Sequence, residues 1–191
     1  MNIAVIGAGS IGKRHLKTLS SLASEENIKG IRCFDQNYER AEEAKRNNKN
    51  IKVSKTLEDA VQNVDIVFLC VPTSLHYDVW AEVKKLGDFN YFIEKPLSHT
   101  YKNCDQMIFE QKNNNKHALI GYMLRLHPVL NRAKTLIQEN TVGKVLSVRA
   151  ESGFYLPFWH PWEDYRDFYM SWKVGGGGAL FDHASPTILN C

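Results

Sequence analysis

The hexapeptide Gly7-Ala8-Gly9-Ser10-Ile11-Gly12 constrains this chain more than any other feature. It follows Asn2–Ile6 (NIAVI), an apolar run with almost no alternation, as expected of a strand buried on both faces. After it, Ile11, Leu16, Leu19, Leu22 and Ala23 recur at helical spacing. In a strand–turn–helix setting the three glycines have separate uses. The first allows a tight turn, the second lets backbone approach a pyrophosphate, and the third lets the helix pack closely on the strand. The helix start then offers unpaired N–H groups and partial positive charge to phosphates. The spacing predicts dinucleotide binding at Gly7, Gly9, Ser10, Ile11 and Gly12; the competing reading is a purely structural glycine turn.

Short apolar runs alternate with helical patterns through residue 120. Strands are expected at Ile31–Phe34, Ile51–Val53, Asp65–Val71, Tyr91–Ile93 and Ala118–Ile120, and helices at Tyr38–Arg46, Thr56–Val61, Ser74–Leu86 and Ser98–Asn113. Such alternation means parallel strands joined by crossover helices. After Gly121 the pattern changes. A helix opens at His127-Pro128 and runs to about Glu139. In Lys144–Ser152, Leu146, Val148 and Ala150 then alternate with Ser147, Arg149 and Glu151, the period of a sheet with one covered face. The expected class is α/β: a Rossmann-type doubly wound parallel sheet over 1–121, followed by the beginning of an α+β second domain over 122–191 with an incomplete sheet.

Composition narrows the function. The chain has 191 residues, 43% hydrophobic and 24% charged, which suits a globular protein. A net charge of +3, with no basic block interleaved with aromatics, does not argue for nucleic acid. The longest apolar run, Ile66–Pro72, is too short to span a bilayer. A strand from residue 2 leaves no room for an export signal, so a cytoplasmic protein is expected. Cys33, Cys70, Cys104 and Cys191 lack paired spacing and read as reduced thiols, and no metal site is expected.

Three further places carry candidate chemistry. Asp35 ends the second strand, 23 residues past Gly12. An acid there can accept both ribose hydroxyls of NAD and repels the extra phosphate of NADP. It could also simply cap the next helix, and Arg40 nearby could soften the preference. Val71-Pro72-Thr73 leaves the fourth strand at its carboxyl end, with His76 three residues on. Glu94-Lys95-Pro96 leaves the fifth. Lys95 reads either as a solvated surface lysine or as a partly desolvated one that moves the proton accompanying hydride transfer.

With these residues stand Gly121-Tyr122-Met123-Leu124-Arg125, Tyr155-Leu156-Pro157, Asp164-Tyr165-Arg166 and Gly176-Gly177-Gly178-Ala179-Leu180-Phe181-Asp182. In this order they resemble the Gfo/Idh/MocA family of NAD(P)-dependent oxidoreductases. The resemblance implies a dinucleotide-binding domain, then an α/β domain whose open sheet covers the active site and mediates homo-oligomerisation. It implies hydride transfer between NAD and a hydroxyl carbon of a sugar, inositol or nucleotide-sugar-like substrate. Lys95 and Asp182 become the catalytic candidates. Val71, Pro72, Thr73, His76, Glu94 and Lys95 join the glycine loop and Asp35 at the coenzyme. Arg125, His160, Tyr165, Arg166, Asp182 and His183 are the substrate candidates.

Two departures open an alternative. Many members of the family carry an acid/base histidine three or four residues past the aspartate; here Ser185 and Pro186 stand there. Proline exchanges no proton and unassisted serine is a poor base. Members of the family are also about twice as long, which implies a C-terminally truncated homologue. The alternative is a catalytically impaired dinucleotide-binding remnant, or a subunit-interaction module that uses the aromatic-rich segment Phe154–Trp172.

Overall fold

A computed structural model describes residues 1–149, 151, 153, 155–158, 161, 164–167 and 178. The chain divides into two units, Met1–Ile120 and Gly121–Cys191.

The first unit holds six strands: β1 (Asn2–Ile6), β2 (Gly30–Phe34), β3 (Ile51–Val53), β4 (Ile66–Leu69), β5 (Asn90–Ile93) and β6 (Ala118–Ile120). Their order is β3-β2-β1-β4-β5-β6 and every pairing is parallel. This is the doubly wound order, with β1 central and the direction of winding reversing between β1 and β4. Five helices cross over: α1 (Ser10–Leu22), α2 (Tyr38–Arg46), α3 (Leu57–Val61), α4 (His76–Leu86) and α5 (Cys104–Asn113).

Alternation along β1 builds two cores. Ile3 and Val5 pack with Leu16, Leu19, Ile31, Cys33, Ala41 and Ala44 on one face of the sheet. Ala4 and Ile6 pack with Val67, Leu69, Trp80, Val83, Tyr91, Ile93 and Met107 on the other. The continuous apolar composition of β1 follows, since neither face meets water. Each fully buried Ile or Leu contributes about 1.5–3 kcal/mol relative to an exposed one. The Thr56 hydroxyl caps α3 by accepting from the Asp59 N–H at 3.1 Å, as the threonine before that short segment leads one to expect.

Two helix starts shift by two residues or more from the sequence pattern. The helix expected from Ser74 starts as a 3-10 turn, Thr73–Leu75, and becomes α-helical at His76. The helix expected from Ser98 starts only at Cys104. The Ser98 hydroxyl accepts from the Thr100 N–H at 3.2 Å, and Asn103 adopts φ +67° immediately before α5. Both are local alternatives to helix that serine and asparagine make easily.

In the second unit a 3-10 turn (Met123–Leu126) leads into α6 (Pro128–Gln138), with Pro128 in its tolerated first turn. The strand expected over 144–152 is not formed at 144–149. Leu146 and Val148 are exposed there, at 86% and 70%. A period of two becomes a strand only where neighbours take its backbone hydrogen bonds, and among the described residues none does.

Candidate functional site

The carboxyl ends of β1, β2, β4 and β5 bring four segments to one edge of the sheet. Gly7 leaves β1 at φ +98°, and its N–H donates to the Phe34 carbonyl at 2.8 Å. A Cβ at Gly7 would lie 2.7 Å from the Cys70 carbonyl oxygen, and one at Gly12 would lie 1.9 Å from the Gly7 carbonyl oxygen. Both positions therefore require glycine. Gly9 differs: a Cβ there would meet nothing within 4 Å. That open space over the backbone, at a helix start with no side-chain cap, is what a pyrophosphate needs. The residues present fit a dinucleotide.

Asp35 follows β2 and is tied to this loop. Its Oδ2 accepts from the Ala8 N–H at 2.6 Å and its Oδ1 from the Asn37 N–H at 2.8 Å. A carboxylate has about four acceptor sites, so two remain for hydroxyl donors. Arg40 stands exposed in the first turn of α2.

Beyond β4, Val71 and Pro72 lead into buried Thr73 and then His76, only 1% exposed. Both ring nitrogens of His76 face backbone carbonyls, Nε2 that of Val71 at 3.0 Å and Nδ1 that of Leu97 at 3.2 Å. The ring thus joins the loop after β4 to the loop after β5. Burial pushes the imidazole below its usual 6.5, against the upward pull of the Leu97, Val71 and Pro96 carbonyls and of Glu94.

After β5 the Glu94 N–H continues the ladder to the Leu69 carbonyl at 3.0 Å, and the Lys95–Pro96 peptide is cis. The Glu94 carboxylate is engaged on both oxygens. Oε1 lies 2.6 Å from His15 Nε2, and Oε2 accepts from the Lys95 N–H at 3.1 Å. The sequence reading missed His15. A signal was there: His15 lies on the same stripe of α1 as Gly12, Leu16 and Leu19, an imidazole among residues that face the sheet.

Burial pushes the Cys33 thiol up to about 12 and the Cys70 thiol well above its usual range, so both stay protonated at neutral pH. Among the described residues there is no group of three metal-ligating side chains, and no helix is long and apolar enough to cross a membrane.

Of the substrate candidates, three are described, all in the second unit and all exposed: Arg125, Tyr165 and Arg166. The Arg166 guanidinium chelates Asp164, with Nε at 2.9 Å from Oδ1 and Nη2 at 2.6 Å from Oδ2, which holds the Asp164 carboxyl at about 2. His160, Asp182 and His183 lie outside the described residues.

A parallel sheet in this order, with a glycine loop over an open helix start and an acid after β2, defines a dinucleotide-binding protein. The model of the Gfo/Idh/MocA family, described as an oxidoreductase family with an NAD-binding Rossmann fold, matches residues 1–122. The chain belongs to that family. It is 27% identical over 152 residues to inositol 2-dehydrogenase of Corynebacterium glutamicum, covering 78% of this chain and 44% of that protein. It is 26% identical over 202 residues to levoglucosan dehydrogenase of Pseudarthrobacter phenanthrenivorans, covering 98% of this chain and 49% of that one. The chain thus spans under half the length of these relatives. Among solved structures, GenD2 from gentamicin A biosynthesis, in complex with NAD, superposes with a TM-score of 0.80 at 21% identity, covering all of this chain and 52% of that one. That likeness speaks for the fold.

Proposed function

We propose that the chain binds NAD across Gly7–Gly12 and serves an oxidoreductase that works at a hydroxyl carbon of a sugar, inositol or nucleotide sugar. Bound NAD would supply the hydride acceptor. The amides at the start of α1 would hold the pyrophosphate, and the two unused acceptor sites of Asp35 the adenosine ribose. Lys95 would orient the substrate hydroxyl and take its proton at the lysine Nζ. The observation that carries this reading is the Asp35–Ala8 bond, which sets a carboxylate against the glycine loop at 2.6 Å. The same carboxylate would favour NAD over NADP by repelling the extra phosphate.

Titrating the purified chain with NADH and NADPH, followed by nicotinamide fluorescence, tests it. NADH is expected to bind at least about tenfold more tightly than NADPH, and Asp35→Ser to narrow that gap. Gly12→Ala is expected to weaken NADH by about tenfold or more, because the new methyl must displace the Gly7 carbonyl. No saturable binding of either coenzyme would sink the proposal.

A second reading has its own observation. Ser185 and Pro186 stand where an acid/base imidazole is expected, which favours a chain that binds coenzyme without turning over. A panel of polyols and sugars with NAD separates the two. Turnover lost in Lys95→Ala supports the enzyme; tight NADH binding with no turnover on any substrate supports the remnant.

A further inference from the structure

We propose that His15 is a positioning residue: by holding Glu94 it sets the Glu94–Lys95–Pro96 loop for the nicotinamide end of the coenzyme. The proposal rests on the NAD reading above.

His15 lies three residues past Gly12, less than one turn along α1. Its ring sits on a shelf formed by two neighbouring strands. Phe68 of β4 and Phe92 of β5 stack at 4.7 Å between centroids, and the imidazole tilts against the first at 5.4 Å and meets the second edge-on at 5.0 Å. From that shelf Nε2 reaches Glu94 Oε1 at 2.6 Å, with the two side chains only 21% and 12% exposed. A carboxylate oxygen accepts, so Nε2 carries the hydrogen.

The other carboxylate oxygen takes the Lys95 N–H. One side chain therefore links the helix that follows the glycine loop to the backbone of the lysine, across 79 residues of sequence. A ring needed only to fill space over Phe68 and Phe92 could be phenylalanine, which costs less to bury. The imidazole adds a donor aimed at a nearly enclosed carboxylate, and a carboxylate whose Oε1 has lost its donor would turn toward water and carry the loop with it. On the NAD reading, the adenosine diphosphate end of the coenzyme would lie on the glycine loop and Asp35 rather than on this loop. The bond should therefore matter for one half of the ligand.

The test compares two probes, NADH and ADP-ribose, which lacks the nicotinamide, by calorimetry on wild type, His15→Phe, His15→Gln and Glu94→Gln. His15→Phe keeps a ring on the shelf and removes the donor. It should weaken NADH by about tenfold and leave ADP-ribose within about twofold. His15→Gln, which restores an N–H donor, should recover part of the NADH affinity. Glu94→Gln leaves one acceptor where two are used, so the amide NH2 must face either the Lys95 N–H or His15 Nε2. It should weaken NADH selectively, and adding His15→Phe to it should cost little more, as for two residues acting through one bond.

Melting curves identify any variant that fails to fold, and Glu94→Gln answers in place of a misfolded His15→Phe. Equal weakening of both probes, or none, with wild type binding both, overturns the proposal and leaves the coenzyme reading standing. Wild type that binds neither probe overturns both.

Discussion

The two units use the same sequence signals with opposite results. In the first, α4 presents Trp80 and Val83 to the sheet and both are buried. In the second, α6 has a comparable stripe of Val129, Leu130, Ala133, Leu136 and Ile137, and none of them is buried. Indeed, no residue of Gly121–Arg149 is buried. Amphipathic spacing states which face of an element seeks a partner; it does not supply one. The first unit has its partners because β1 lies at the centre of six strands and offers both faces to crossover helices.

Paired truncations break or sharpen that contrast most strongly. Trp80→Ala removes a large, fully enclosed side chain and should cost about 3–5 kcal/mol of unfolding free energy. Val129→Ala, at a residue 68% exposed, should change it by no more than about 0.5 kcal/mol. Urea unfolding followed by circular dichroism measures both. Similar costs at the two positions would mean that the exposed stripe of α6 is covered in solution.

A smaller effect separates the loops from the core beneath them. The buried His76 imidazole titrates below 6.5 in the folded chain. On acidification the unfolded chain therefore takes the proton first. The stability this group contributes is complete above about 6.5 and is lost as the pH falls from there through the lowered folded value. Melting midpoints recorded from pH 8 to pH 5 should show the decline. His76→Gln, which keeps a donor and an acceptor, should flatten it. Glu94 pulls the other way, so Glu94→Gln should steepen it. Parallel curves for wild type and His76→Gln would remove His76 as the source.

The legible and illegible parts of the molecule divide along the same physical line. β1, β4 and the glycine turn were readable because local sequence states them: apolar runs of the right length, and glycines at positions where a Cβ would strike a carbonyl. The position of Asp35 just past β2 was readable too, though not its bond to the Ala8 N–H. The start of α5 was not, because Ser98 and Asn103 offered local alternatives that helical spacing does not register. The missing strand at 144–149 was not, because pairing is a property of neighbours. The imidazoles were the hardest. His76 was expected at the coenzyme, yet its ring is enclosed between two loops with both nitrogens on backbone carbonyls, and nothing in the spacing around His15 points to Glu94. One partner of His76, Leu97, lies 21 residues away and the partner of His15 lies 79 away, distances at which only the assembled sheet determines contact.

The smallest expected effect is the most pointed check on the boundary between the units. We propose that residues 1–121 fold alone. Both apolar clusters of the sheet are built entirely from residues up to Ile120, and all six strands pair among themselves. The glycine loop, Asp35, His15, His76 and Glu94 also make their hydrogen bonds within that stretch. A chain ended after Gly121 should therefore unfold within about 0.5 kcal/mol of the full one and bind NADH within about twofold of it. The measurements are urea unfolding and calorimetric titration on the two lengths side by side. A shortened chain that melts far lower, or binds coenzyme much more weakly, would mean that the first unit draws support from residues past 121. The division by sequence pattern would then be misplaced even though the sheet was read correctly.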